Sequence, residues 1–221
     1  MTNEKLSSNK NSNLWRELQG VILETLIGLA VCLSIIGLIY FDVVVLEQTC
    51  GEDSFIESAQ ASIYFLSAIS FYNFGLKNRS ISGAMYLIGG LLLCMFVREL
   101  DWISDKIFHG AWLYFALAVC FLSVFAALRV KNTIFQGFVW FAGLRASAYM
   151  IAGFLCVMVF SRLFGAKFIW YKLYDPARIR VVKNCVEEGL ELYGASHIFI
   201  STILAMLVLR RNKKNLQDPT I

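Results

Sequence analysis

The sequence predicts an all-α integral membrane bundle of about six transmembrane helices, with N- and C-termini cytoplasmic. Three observations lead there. The 221 residues are 58% apolar and only 16% charged, against about 25% charged in an ordinary soluble domain. The charged residues fall in clusters between apolar runs, and there are two prolines in the whole chain. A bilayer crossing takes ~20 apolar residues, so six crossings and short loops use most of the length.

Hydropathy places the spans near Val21–Tyr40, Phe55–Leu76, Ser82–Val97, Ala111–Leu128, Phe135–Phe160 and Val186–Leu209. Residues 1–19 form a cytoplasmic N-terminal tail, 20–209 the membrane domain and 210–221 a cytoplasmic C-terminal tail, both tails disordered. The N-terminal tail is polar for too long, and its apolar run too extended, for a cleaved signal peptide. The third span is short and continues as helix beyond Arg98. The fifth is long and contains Arg145. It is tilted, broken near Gly143, or begins as an interfacial helix.

Orientation follows from the short loops. With the N-terminus inside, eleven Lys and Arg face the cytoplasm and eight face outward, the direction of the positive-inside rule. The acids are more lopsided: twelve of sixteen fall on the outer side. Acids do not set topology, so their asymmetry needs another explanation. No run of bases interleaved with aromatics points to nucleic acid.

Helical spacing gathers the outer acids into stripes. Asp53, Glu57, Gln60 and Tyr64 share one side of the second span. At the end of the third, RELDWISD puts Arg98, Asp101, Trp102 and Asp105 on one side, with Glu99 about 100° away. In the sixth, Asn184, Glu187, Glu188 and Glu191 span an arc of roughly 100° and lead to Gly194. Carboxylates at a membrane face turn inward, pair, or line a wet cavity. Three stripes at one level therefore predict a shared polar pocket at the outer, periplasmic face. Arg98, Arg162 and Lys183 are its counter-charges and Glu99 an ion-pair partner. Helix capping accounts equally well for the first acid of each group, though less well for Glu191.

Such a pocket suits a divalent cation with oxygen ligands or a proton relay. The expected ligands are Glu57, Asp101, Asp105, Glu187, Glu188 and Glu191. Joining His109 and His197 to them would make a zinc site of a lipid hydrolase, although no HExxH-type spacing is present. Cys32, Cys94, Cys120 and Cys156 read as small apolar packers. Cys50 and Cys185 lie in outer segments, where an oxidising compartment permits a disulfide. The basic, aromatic segment 162–183 either contacts anionic lipid or neutralises the acidic face.

The segments ESAQASIYFLSA, VRELDWISDKIFHGAW and FSRLFG with VVKNCVEEGLELYG resemble a group of uncharacterised bacterial inner-membrane proteins. The likeness is strongest in RELDW and in the KNxVEEGLEL pattern. It implies a multi-pass protein of the bacterial inner membrane and carries no activity. The paired histidines of the alkaline ceramidase-like hydrolases are missing. The expected function is cation or proton binding in a transporter or sensor. The alternatives are a membrane-embedded metal-dependent hydrolase and a structural subunit that pairs with a membrane partner or with itself.

Overall fold

The computed structural model describes residues 2–47, 54–166, 170 and 176–217, with side chains for all of these except 2–13, 16–17, 176–178 and 212–217. The described residues form helices and turns, without strands. In chain order these are α1 (Thr2–Tyr40), a π-helical turn Phe41–Val45, α2 (Phe55–Lys77), α3 (Ser82–Glu99), α4 (Asp101–Ser104), α5 (Ala111–Leu128), α6 (Asn132–Ala142), α7 (Arg145–Leu155), a second π-helical turn Cys156–Phe160, α8 (Ser161–Phe164) and α9 (Pro176–Gln217).

Five helical segments are long and apolar enough to cross a membrane: Leu18–Val45, Ser82–Glu99, Ala111–Leu128, Arg145–Phe164 and Ile179–Arg211. The protein is therefore read as a membrane protein. The expected second span forms as helix α2, but its composition is less apolar. Its serines, Gln60 and tyrosines lower the hydropathy because much of this helix faces protein. Ile56, Gln60, Tyr64, Ser67 and Phe71 are fully buried.

Of the alternatives for the fifth span, the structure shows the break near Gly143: α6 ends at Ala142 with Gly143 as its cap, Leu144 is extended, and α7 starts at Arg145. Three features differ from the sequence reading. α6 has 11 residues, about 17 Å, and is too short to cross. The stretch RELDWISD is not one continuous helix, because Leu100 leaves helical geometry and separates α3 from α4. The tails are helical over most of their described length, since α1 runs back to Thr2 and α9 on to Gln217. Few residues there break a helix, so each span propagates beyond the apolar layer.

Local sequence explains the ends that matter. The Asp42 carboxylate, fully buried, accepts from the Phe55 and Ile56 amides at 3.3 Å each. Ser54 caps the same helix by accepting from the Glu57 amide at 3.1 Å. These satisfy amides that α2 would otherwise leave open. Gly110 starts α5 with φ of +81°, a left-handed conformation suited to glycine.

α2 packs on α3, α3 on α5, and α9 on both α2 and α7. Tyr64, Phe71, Met85, Leu92, Phe141, Met150 and Ile198 form the core between them. Small residues set the closest crossing. A Cβ built on Gly153 of α7 would lie 2.6 Å from the Gly194 carbonyl oxygen of α9, and one on Gly194 would lie 2.8 Å from the Gly153 carbonyl. Backbones approach this closely only where both helices lack side chains. Ser201 locks the same pair by donating to the Ala146 carbonyl at 2.6 Å.

Gly153→Ala should therefore destabilise by about 1–3 kcal/mol through overpacking, read as a lowered melting temperature in detergent. An unchanged midpoint would mean that α7 and α9 are not held at this distance.

Candidate functional site

The acids of α9 meet the rest of the bundle near one end of the apolar layer. Nineteen residues separate Glu191 from Arg210 and seventeen separate Gln60 from Lys77, distances of about 28 and 26 Å along a helix. Sixteen residues separate Arg98 from Ser82, about 24 Å. Gln60, Arg98 and Glu191 thus occupy one level, close to a full apolar thickness of ~30 Å from the basic end.

Glu191 is the centre of the site, 1% exposed. Its Oε2 accepts from Arg98 Nη2 at 2.7 Å, and its Oε1 accepts from Ser161 Oγ at 3.2 Å and from Arg162 Nη2. Arg98 Nη2 also donates to Glu99 Oε1 at 2.8 Å. Arg162 Nη1 donates to Glu187 Oε1 at 2.9 Å, and Lys183 Nζ to Glu187 Oε2 at 2.8 Å. Three cations thus meet three carboxylates across α3, α8 and α9. Charge-assisted bonds of this kind are the strong ones, and the three donors on Glu191 and two on Glu187 offset part of the cost of taking these ions out of water.

The second π-helical turn, Cys156–Phe160, ends directly before Ser161 and Arg162. The wider turn changes the phase of the residues that follow it, which orients both side chains toward α9. Gly165 completes the fit, since a Cβ there would meet the Glu187 carboxyl at 2.5 Å.

Glu188 differs from its neighbours. Among the described residues its carboxylate meets no cation. Its Oε2 accepts from Gln60 Nε2 at 3.2 Å, and its backbone carbonyl accepts from the same nitrogen at 3.0 Å. Beside it, Gln60 Oε1 and the Tyr64 hydroxyl are buried without a hydrogen-bond partner among the described residues. Tyr64 lies four residues after Gln60 and Glu57 three residues before Gln60, on one side of α2. Ser67 Oγ, further along α2, is likewise buried and unpartnered among the described residues.

Of the residues expected from sequence, the structure brings Arg98, Glu99, Arg162, Lys183, Glu187 and Glu191 into one ion-paired network, with Glu188 beside it on Gln60 and Glu57 one turn before Gln60 on α2. It does not bring the rest. Asp105 Oδ2 lies 2.8 Å from His109 Nδ1 and its Oδ1 accepts from the Gly110 amide at 2.9 Å. That carboxylate therefore closes the turn after α4, and His109 points to the exterior. Asp101 heads α4 beyond the break at Leu100. His197 Nδ1 donates to the Tyr193 carbonyl at 2.9 Å, and its ring packs on Tyr193 and Tyr149. It lies about 120° around α9 from Glu191. Among the described residues, no group of three or more His, Cys, Asp or Glu side chains is placed to hold one metal ion.

Cys185 is disulfide-bonded, and Cys32, Cys94, Cys120 and Cys156 are free. The other cysteine of the expected pair, Cys50, lies outside the described residues, as do Asp53, Lys167 and Lys172. Sequence reasoning did not single out Ser161 or the capping residue Asp42. The signal for Ser161 is its place beside Arg162 at the end of an apolar run. Asp42 stands out as a lone acid at the end of the first span's apolar run.

No family model, no curated protein and no solved structure matches this chain. Function must be argued from the fold and from this network.

Two expectations follow from the geometry. Glu191→Gln should cost about 1–3 kcal/mol, because it removes the buried carboxylate on which Arg98 and Arg162 converge and leaves each with a single acid, Glu99 or Glu187. Glu188→Gln should leave stability unchanged or raise it, because the amide keeps an acceptor for Gln60 and removes a charge with no cation beside it. Melting curves of the two variants, compared at one detergent concentration, decide the matter, and equal losses would contradict the assignment. Separately, alkylation of the unfolded chain without reductant should label Cys32, Cys94, Cys120 and Cys156 but not Cys185. A labelled Cys185 in protein never exposed to reductant would refute the bond.

Proposed function

We propose that the network binds a cation or a proton at Glu188, at the outer face of an inner-membrane transporter or sensor. One observation carries the reading: a carboxylate with no cation among the described residues stands beside two buried, unpartnered oxygens, Gln60 Oε1 and Tyr64 Oη. A half-buried carboxylate without a counter-ion beside it is costly, so one added positive charge stabilises the site. Buried oxygens without partners are the natural ligands of a hard cation or of the water that accompanies a proton.

The arginine-paired acids form the frame in this reading. Glu99, Glu187 and Glu191 hold α3, α8 and α9 in register, while Glu188, Gln60 and Tyr64 carry the exchangeable charge. The π-helical turn before Ser161 supports a moving part here, since such turns recur at functional sites. A divalent ion held by several carboxylates gains less support, because no three such side chains converge among the described residues. The lipid-hydrolase alternative is weakened further, because His109 pairs with Asp105 in the turn after α4 and His197 with the Tyr193 carbonyl, while among the described residues the hydrogen-bond partners of Glu187, Glu188 and Glu191 include neither histidine. Periplasmic placement of the site draws support from the disulfide at Cys185, since such bonds persist in oxidising compartments. A bridge from Cys185 to Cys50 is part of the same proposal.

The test is ion and proton flux into liposomes holding the purified protein, beside its melting temperature against Na⁺, K⁺, Mg²⁺, Ca²⁺ and pH. Glu188→Gln should abolish the flux and flatten the dependence of the midpoint on the effective ion, while the protein still folds. A ligand that binds only the folded state raises the midpoint with occupancy. Flux or an ion-dependent midpoint that survives Glu188→Gln would reject Glu188 as the binding group. If neither exists in the unaltered protein, the network is a structural joint.

A further inference from the structure

We propose that the basic end of the bundle holds a phosphodiester, the headgroup of an anionic glycerophospholipid of the adjoining leaflet, in a cavity between the ends of α2 and α9. The cavity measures about 670 Å³. Lys77, the last residue of α2, and Arg210, at the end of the apolar part of α9, contribute the charges. Asn73 and Ser80 add polar groups, while Phe74 and Trp140 line an apolar side.

Two features identify the ligand class. The first is unsatisfied charge. Arg98, Arg162, Lys183 and Arg145 are all ion-paired, whereas among the described residues Lys77 and Arg210, like Arg79, Arg129, Lys131 and Arg211 of the same end, have no carboxylate within salt-bridge distance, and of these bases Lys77 and Arg210 line the cavity. Two cations from separate helices facing one space suit a phosphate, on which arginine places paired donors and lysine a point charge. The second is the cavity's two-sided lining. Its cations sit where the apolar runs of α2 and α9 give way to polar sequence, which is the headgroup layer of a bilayer. The wall formed by Phe74 and Trp140 suits an acyl chain and the carbonyl region, where tryptophan concentrates. A free phosphate would use the cations and leave that wall without a role.

The fold also explains why the space exists. α6 has only 11 residues, and the break at Gly143 and Leu144 ends it. Trp140 walls the cavity, but α6 does not fill the gap between the ends of α2 and α9. This site is separate from the Glu188 network and does not depend on the reading given to it.

The test uses the full chain in detergent, with its melting temperature followed during titration by dioleoylphosphatidylglycerol, dioleoylphosphatidylcholine or sodium phosphate. Phosphatidylglycerol should raise the midpoint in a saturable way, and phosphatidylcholine and phosphate should not. Lys77→Gln with Arg210→Gln should weaken phosphatidylglycerol binding about thirtyfold, or ~2 kcal/mol for two basic side chains at an anionic lipid. Arg129→Gln with Lys131→Gln, bases of the same end that do not line the cavity, should leave it unchanged. Equal effects of the two lipids, or of the two double variants, would overturn the proposal. A rise with sodium phosphate that the first double variant abolishes would overturn the lipid and leave a phosphate site. Native mass spectrometry of the unaltered protein keeps the question decidable if that variant does not fold. Retention of phosphatidylglycerol over phosphatidylcholine is expected, and equal retention of both refutes the proposal.

Discussion

Burying a carboxylate as completely as Glu191 dictates much of its surroundings. The ion is stable there only if cations reach it, and neither of its two arginines comes from α9. Arg98 stands at the end of α3, and Arg162 follows the π-helical turn after α7. Both helices must end at the level of Glu191, and both must approach α9 closely. The crossing at Gly153 and Gly194 is what allows the second approach. The glycine contact and the ion network are thus two parts of one solution. Apolar packing below brings α7 against α9, and paired charge above fixes how they are aligned.

The lining of the site separates tasks by charge balance. Paired ions resist change, since removing one weakens the hold on each ion bonded to it, and loss of Arg98 would leave Glu99 without a cation. A carboxylate held only by an amide has no such obligation, and it can gain or lose a positive charge without dismantling the frame. The same segment, VEEGLEL, supplies both kinds of residue. Glu187 and Glu191 are four apart and face the cations, while Glu188 turns toward α2. Adjacent glutamates on a helix differ by about 100°, and that angle separates the acids paired to cations from the one held by an amide.

Much of this is legible in the sequence, for a physical reason. Apolar runs must be long enough to satisfy their own backbone in lipid, so the helices can be read as runs. Acids at helical spacing near a membrane face must turn inward, so spacing alone groups Glu57, Glu187, Glu188 and Glu191. Arg98, Glu99, Arg162 and Lys183 follow as the other members of their ion pairs. Breaks are harder to read. Leu100 is an ordinary helix former, yet α3 stops there, which sends Asp101, Asp105 and His109 elsewhere. Gly143 marks where the fifth span could break, but whether it does, and the shortness of α6, depend on how α6 packs over Ile81 and Ala84. α2 is the opposite case: buried Gln60, Tyr64 and Ser67 make a helix less apolar than its neighbours, because protein rather than lipid surrounds them.

The length of α9 has a mechanical side. At 42 residues it is a rod of about 63 Å, touching α7 most closely at Gly194. Glu188 lies six residues from that contact and Arg210 sixteen residues beyond it on the other side. The contact is then a fulcrum with unequal arms, about 9 Å and 24 Å. Any rocking of α9 as a rigid body about Gly194 carries Arg210 roughly 2.7 times as far as Glu188, in the opposite direction. Ser201 lies on the long arm, seven residues from Gly194, so its bond to the Ala146 carbonyl limits how far the far end can swing.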